Sequence, residues 1–471
     1  MIIRSVFAFI SFSLCLEAKN LNVVFILADD MSRDTWGAYG SKDCKTPNID
    51  RLANEGIRFD RAYCSVAMCA PFRQELYSGR SPWRTGTLPN HSKSVRGTKS
   101  IPHYLQPLGY RVALLGKSHV GPKECYPFER LGDVSKQEDS NPEIIKRSIK
   151  FFDDCQKKDE PFCLFIASHD SHAPFTTGDQ SAYDANKLMV PPYWVDTPEL
   201  REEMVKYYAE VTNFDNLVGM VRAELEKRNL WKNTIFIVCS EQGTQLPFAK
   251  WTCYDNGLHI GLVLRWPGLS QKGEIVEELV SIADIAPTLV DELGGNLQQG
   301  DFDGKNIARL IKGEAIPVHN YMYGAFTNCR IIDNRDRVFP IRSIRNDRYS
   351  MIFNPRYKDG ITSNITLSQA LRFIEQGKPE SSQVPNVAAS WVVKSNKSQT
   401  EHELIRKLHY RPEYELYDLV NDPHELVNLI HEPYYKEIGQ RLKKALREKL
   451  KDLEDSNPVE TEQSFIVSPK L

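Results

Sequence analysis

The chain has 471 residues, with 60 Lys and Arg against 62 Asp and Glu, a formal net charge of −2. Hydrophobic residues make up 41% and charged residues 26%, which excludes a disordered or collagen-like chain and gives enough apolar material for a large core. So even a balance offers no concentrated basic face for nucleic acid, although an anionic small substrate stays open.

Residues 1–18 (MIIRSVFAFISFSLCLEA) carry Arg4 and then an apolar run over 5–16, with Ala18 before a cleavage point. This is the pattern of a secretory signal peptide, too short for a membrane span. A lipidated Cys15 is the second choice, because Leu14 before it is bulkier than such a signal usually has. The mature chain is expected to be exported, periplasmic or secreted, with no membrane span. Export permits disulfides. Among ten cysteines, Cys155 and Cys163, flanking a polar turn, make the best candidate pair.

Residues 22–28 (NVVFILA) form a β-rich run that ends in Asp29-Asp30, and 46–55 read as a helix opened by Pro47 and closed by Gly56. Residues 110–116 (YRVALLG) give a second strand, closed by Lys117-Ser118-His119. A helix over 141–156 precedes a third strand at 161–168, which leads to His169 and His172. The long helical stretch 198–228 precedes a fourth strand at 234–240, followed at once by Glu241-Gln242. Continuous apolar strands alternating with helices predict an α/β fold: a large, mostly parallel sheet sandwiched by helices. Beyond residue 317 the pattern changes. Strands are expected at 319–327, 338–345, 349–353 and 414–419, with an amphipathic helix at 434–453. The expected organisation is a catalytic domain over 19–317, a smaller α+β subdomain with an antiparallel sheet over 318–453, and a tail at 454–471.

Four strands each deliver polar residues just past their C-terminal ends. In open α/β sheets ligands bind outside those ends, so Asp29, Asp30, Lys117, His119, His172, Glu241 and Gln242 are expected to share one pocket. Between the first and second of these strands lies Cys69-Ala70-Pro71-Phe72-Arg73, in the run CAPFRQELYSGR. Given the counts of Cys, Pro and Lys plus Arg, Cys-x-Pro-x-Arg arises by chance at most about 0.07 times in this chain.

This run resembles the signature of the formylglycine-dependent sulfatases of the alkaline phosphatase superfamily. The likeness continues through ILADD, GKSHVG, SHDSHAPF, SEQGTQLPFAKW and YELYDLVNDPHELVNL, in the family's order and over nearly the whole mature chain. The resemblance implies an alkaline-phosphatase-like fold and hydrolysis of sulfate esters. It implies that Cys69 is oxidised to formylglycine (3-oxoalanine) by a formylglycine-generating enzyme. One hydroxyl of the hydrated aldehyde attacks sulfur, and the other then expels sulfate. It further implies one divalent cation, Ca²⁺, held by Asp29, Asp30, Glu241, Gln242 and the modified Cys69. The family more often has Asp then Asn or His at the second pair. Arg73 and Lys117 would hold the diol oxygens, Lys117 and Lys250 the sulfate, His119 would act as base and His172 as acid. A stem packed on Trp251 is the competing explanation for Lys250, while His169 and His259 stay outside the set. The expected substrate is a sulfated polysaccharide or oligosaccharide, with ulvan-type algal glycans first and heparan-type N-sulfoglucosamine second. A phosphate or phosphonate monoesterase and an inactive glycan-binding homologue are the alternatives.

Overall fold

The computed structural model describes residues 21–134, 140–327, 340–359, 386–395 and 397–455. The expected signal peptide (residues 1–18), Cys15 and residues 328–337 therefore lie outside the described residues.

The main sheet has eight strands. They are β1 (Asn22–Leu27), β2 (Ile57–Tyr63), β3 (Arg111–Gly116), β4 (Glu129–Arg130), β5 (Phe162–Ala167), β6 (Thr234–Cys239), β7 (His259–Arg265) and β8 (Glu274–Ser281). Their order is β4-β3-β5-β1-β6-β7-β2-β8. β7 runs antiparallel to both its neighbours, and the other pairings are parallel. The expected sheet thus gains an antiparallel strand and three further strands, β2, β4 and β8, that the apolar runs do not reveal.

β1, β5 and β6 are buried along their whole length, as strands covered on both faces must be. The covering helices include α1 (Pro47–Glu55), α2 (Cys69–Ser78), α3 (Asn141–Lys158), α4 (Pro198–Lys227) and α5 (Ile285–Glu292). Register explains the convergence of the strand ends. Leu27 pairs with both Ala167 and Cys239, and Gly116 pairs with Ala167. Four adjacent parallel strands therefore stop at one level, and the residues after them share one edge. Gly116 is obligatory here: φ is +87°, and a Cβ would stand 2.1 Å from the Ala167 carbonyl oxygen.

A second sheet holds β9 (Met322–Phe326), β10 (Ile341–Arg345), β11 (Tyr349–Phe353) and β12 (Tyr414–Asp418), all antiparallel in the order β12-β11-β10-β9. Two helices, α6 (Asn386–Ser395) and α7 (Gln399–His409), precede β12, and α8 (Lys436–Asp452) follows it. Leu442, Leu446 and Leu450 of α8 pack on Ile344, Met351, Tyr414 and Leu416 in a small core of their own. The sheet is tied to the main body where Ala325 N–H donates to the Ser65 carbonyl at 2.8 Å. A second tie is Arg345, which bonds Asp255 at 2.5 Å and the Cys253 carbonyl at 2.7 Å.

One expectation needs correction. Cys155 and Cys163 do not pair. Cys155 faces Arg111 from α3, while Cys163 lies within β5 with its backbone committed to β1 and β3. At the end of the described residues, Asp455 is buried and bonds Arg342 Nε at 2.6 Å and Trp83 Nε1 at 2.7 Å. No helix among the described residues is long and apolar enough to cross a membrane.

Candidate active site

Cys69 is the first residue of α2, a helix whose ten residues are all buried. Such a helix must satisfy its polar side chains internally. Gln74 does so by donating to the Ser92 carbonyl and accepting from Ser94 N–H and Oγ, at 3.0–3.1 Å, which fastens the 90–94 loop beside Cys69. Gly79 closes the helix at φ +63°. The N-terminal placement puts the positive end of the helix dipole at position 69.

The strand-end residues meet there. Cys69 Sγ lies 3.4 Å from Asp30 Oδ1 and 3.5 Å from Gln242 Nε2. Gln242 also donates to Asp30 Oδ1. Lys250 Nζ lies 2.5 Å from Asp30 Oδ2, and His172 Nε2 is 3.5 Å from the same oxygen. Lys117 Nζ bonds Asp29 Oδ2. Arg73 reaches Glu241 Oε1 at 2.7 Å, Asp29 Oδ1 at 3.5 Å and the Lys117 carbonyl at 2.9 Å. All the residues expected in the metal set are thus together, with Arg73, Lys117, His172 and Lys250 interleaved. Gly243 makes the turn after Glu241-Gln242 tight enough, since a Cβ would stand 1.9 Å from the Asn256 carbonyl oxygen.

A cavity of about 570 Å³ opens above this cluster. Cys69, Lys117, His119, His172 and Lys250 line it, as does His169, which the sequence places after the third strand, together with Asn90, His91, Asp133, Gln245 and Trp251, which the strand-end pattern misses. His169 Nε2 is bonded to Asp133 Oδ1 at 2.9 Å. His259, by contrast, packs on Tyr63 and pairs with Asp255, away from the cavity. Lys250 also lies 5.2 Å from the Trp251 ring centroid, so the packing expected as its competing role coexists with the ion pair. Asp30, His91, His119 and Trp251 all hold positive φ, between 46° and 65°. Strain of this kind concentrates where the surroundings dictate geometry for function.

Three carboxylates, Asp29, Asp30 and Glu241, stand among three cations. Burial drives Asp29 up, but Lys117 and Arg73 outweigh it and hold the group well below the usual carboxylate range. Burial pushes Glu241 up to about 8, against Arg73 and with Asp29 adding to the rise. Burial also pushes the Cys69 thiol well up, reinforced by Asp30 and Glu241 against Lys117 and Lys250. An unmodified cysteine here is a thiol, not a thiolate, and is a poor nucleophile.

The donor set fits a hard cation. One ligand atom from each of Asp29, Asp30, Cys69 and Glu241 lies within 4.8 Å of the others. Gln242 Oε1 is buried without a hydrogen-bond partner among the described residues, while Asp29 Oδ1 and Glu241 Oε1 lie against the Arg73 guanidinium. Oxygen donors of this kind suit Ca²⁺ or Mg²⁺ better than zinc.

Residues 21–295 match the family model described as Sulfatase, over half of the chain. The chain belongs to the sulfatase family. Residues 243–361 of this sulfatase also match the model described as N-sulphoglucosamine sulphohydrolase, C-terminal. It is 32% identical over 427 residues to an ulvan-active sulfatase of Formosa agariphila, covering 89% of this chain and 78% of the relative. It is 26% identical over 476 residues to the human N-sulphoglucosamine sulphohydrolase, covering 91% and 90%. A solved structure, titled as a complex with D-glucosamine-2-N,6-O-disulfate, superimposes with a TM-score of 0.70 at 19% identity, covering 93% of this chain and 99% of that one. The latter likeness establishes the fold, and family membership establishes a sulfuric ester hydrolase.

Proposed function

We propose that this sulfatase removes sulfate from a sulfated polysaccharide or oligosaccharide, with an ulvan-type algal glycan as the first candidate. The observation that carries the reading is Cys69 at the start of α2, its sulfur 3.4 Å from Asp30 and flanked by Lys117, Lys250, His119 and His172 in one cavity. The likeness to an ulvan-active relative over most of both chains supports the substrate class. Export of the mature chain 19–471 after cleavage of residues 1–18 is part of the same proposal. So is the division of the chain at 317/318.

Conversion of Cys69 to formylglycine supplies an oxygen nucleophile, and a Ca²⁺ held by Asp29, Asp30, Glu241, Gln242 and position 69 adds positive charge beside it. The chain's own residues do the rest. Arg73, pinned between Glu241 and Asp29, and Lys117, bonded to Asp29, hold the nucleophile oxygens from one side. Lys117 and Lys250 receive the sulfate. Unit charges about 4 Å apart interact by about 4 kcal/mol at an effective dielectric near 20, so two such cations offset much of the anionic repulsion.

His172 Nδ1 donates to the Ala173 carbonyl at 2.6 Å. Nε2 is therefore the atom that faces the site, and it is from the doubly protonated ring that Nε2 delivers a proton to the leaving oxygen, leaving the neutral Nδ1–H form. Burial lowers its proton affinity while Asp30 raises it. Such acid catalysis contributes roughly 10²–10⁴-fold.

The match of residues 243–361 to the N-sulphoglucosamine sulphohydrolase C-terminal model favours N-sulfoglucosamine as a second reading. A phosphate or phosphonate monoesterase is less well supported. The two candidate cation clusters among the described residues share Asp30 and Cys69 and so form a single site.

Sulfate release is to be measured on ulvan oligosaccharides, N-sulfoglucosamine, aryl sulfate and aryl phosphate, with enzyme matured in a host that makes formylglycine. Sulfate release from the ulvan arm is the expected result. Preference for phosphate would reverse the ranking. Mass spectrometry of the Cys69 peptide should show oxygen in place of sulfur. Cys69→Ala should abolish turnover with melting unchanged, and an active Cys69→Ala enzyme would place the nucleophile elsewhere.

A further inference from the structure

His91 lies on the loop that Gln74 fastens to α2, and its Nδ1 is 2.8 Å from His119 Nε2. Between two imidazole nitrogens one must donate and the other accept, so this contact fixes both tautomers once one proton is located. Two neighbouring bonds locate it. Ala70 N–H, which can only donate, points to Asn90 Oδ1 at 3.3 Å. That orients the Asn90 amide, leaving Nδ2, a donor, 3.4 Å from His91 Nε2. His91 Nε2 is then the acceptor, and in the neutral ring the hydrogen sits on Nδ1, where it is given to His119 Nε2. His119 must in turn carry its own hydrogen on Nδ1. This atom is buried and has no hydrogen-bond partner among the described residues.

We propose that His91 is a positioning residue that fixes His119 as the Nδ1–H tautomer, through a chain of bonds running from Ala70 by way of Asn90. The inference deepens the functional reading above, since it matters for turnover only if His119 works in the same cavity. Two further observations favour it. Both histidines are held at positive φ, 60° at His91 and 46° at His119, a conformation that non-glycine residues adopt only when their surroundings impose it. The rings also lie close together, with centroids 4.8 Å apart and planes tilted by 41°. The consequence revises the expected role of His119. In this form it offers a hydrogen, not a lone pair, at its unpartnered nitrogen, so that an anionic oxygen of the nucleophile or the sulfate reaching that atom meets a donor. The base expected from the family resemblance is not available at that atom.

The chain of bonds can be reversed one residue at a time. Asn and Asp both tolerate the left-handed backbone at position 91. His91→Asn keeps a donor where Nδ1 stood, while His91→Asp leaves only acceptors there and requires His119 to donate from Nε2. Asn90→Asp reverses the same bonds without touching His91. It still accepts from Ala70, but it then takes the His91 Nε2 hydrogen and leaves His91 Nδ1 as an acceptor.

The experiment is ¹⁵N–¹H correlation of histidine-labelled full-length enzyme, with the His119 signals assigned by their loss in His119→Gln. The wild type and His91→Asn are expected to show His119 protonated on Nδ1, and His91→Asp and Asn90→Asp to show it protonated on Nε2. With melting temperatures unchanged, kcat should fall about 10–100-fold in the two Asp variants, the usual range when a partner that orients a histidine is lost. It should be largely preserved in His91→Asn. A wild-type spectrum with His119 protonated on Nε2 overturns the proposal, and so does wild-type kcat in both Asp variants despite a switched tautomer. Neither result depends on the identity of the nucleophile, which Cys69→Ala tests separately.

Discussion

Lys250 Nζ stands 2.5 Å from Asp30 Oδ2, and the protein covers both residues almost completely. The pair links two distant stretches of chain, since Asp30 ends β1 while Lys250 sits on the loop between β6 and β7. That loop is anchored from beneath by Arg345 of the second sheet, which bonds Asp255 and the Cys253 carbonyl. The smaller unit thus helps to set the height of a cation in the cavity.

Lys250→Ala should therefore cost both stability and turnover. Removing one partner of a buried pair leaves the other charge uncompensated, worth about 3–5 kcal/mol when nothing else replaces it. His172 and Gln242 remain beside Asp30, so the loss in calorimetric melting should fall at the low end of that range and shrink when Ca²⁺ is added. The kcat for sulfate release should drop about 10²–10³-fold, as for loss of one preorganised donor at a developing charge. An unchanged kcat would remove Lys250 from the reaction and leave only its packing on Trp251.

A second expectation concerns the cation. Asp29, Asp30 and Glu241 bring three carboxylates into one buried cluster, with Gln242 supplying a neutral oxygen. Ca²⁺ at one hundred times its Kd should add about 2.7 kcal/mol to the stability of a chelated sample, seen as a rise in Tm. Glu241→Gln removes one charged donor and should weaken Ca²⁺ binding, measured by titration calorimetry, by about tenfold or more. Chelation that alters neither Tm nor sulfate release would count against the cation.

Much of the site is legible in the sequence because β1, β5 and β6 are buried on both faces. Such strands read as unbroken apolar runs, and the polar pairs that end them stand out. β2 (IRFDRAY) and β8 (EIVEELVS) escape notice because they mix charged residues into partly exposed positions and lack a continuous run. β4 has two residues and no pattern at all. Asn90 and His91 escape for a different reason. They sit on an aperiodic loop whose place in the cavity comes from Gln74, a bond between residues 18 apart that no local spacing announces. Cys155 and Cys163 show the converse error, since closeness in sequence across a turn did not bring their side chains together.

Glu75, six residues beyond Cys69 on the same buried helix, gives a pH-dependent prediction. Its carboxyl accepts from Ser65 N–H at 3.0 Å and lies 2.5 Å from Ser65 Oγ. Burial pushes it from 4.5 up to about 7, with Asp284 and Asp303 adding to the rise and the Ser65 bonds opposing it. The folded chain therefore binds this proton more tightly than the unfolded chain does. Between about pH 4.5 and 7 the fold holds the extra proton, so stability from this group falls as pH rises through that window and is lowest above it. Glu75→Gln mimics the protonated form, giving its N–H to Ser65 Oγ and accepting from Ser65 N–H. It should be more stable than wild type at pH 8 by up to about 3 kcal/mol and equal to it near pH 4. Chemical denaturation of both proteins across this range checks the difference. Asp215, which burial pushes up to about 6, titrates in the same range but is common to both chains and cancels. Parallel curves at every pH would show that the folded chain binds this proton no more tightly than the unfolded chain.

The last prediction follows from a buried carboxylate just beyond α8. Asp455 accepts from Arg342 Nε at 2.6 Å and from Trp83 Nε1 at 2.7 Å, joining the end of α8, the strand β10 and the segment that follows α2. Arg342 is fully buried and also donates to the Phe326 and Ile341 carbonyls. Asp455→Ala should therefore destabilise by about 3–5 kcal/mol, the cost of removing one partner of a buried ion pair. Arg342→Met in the same chain should recover part of that loss, since an apolar side chain of similar length removes the buried charge altogether. Calorimetric melting of the two single variants and the double variant closes the cycle. A double variant as unstable as the sum of the singles would mean that the two residues act independently, and that Asp455 holds the fold through Trp83 alone.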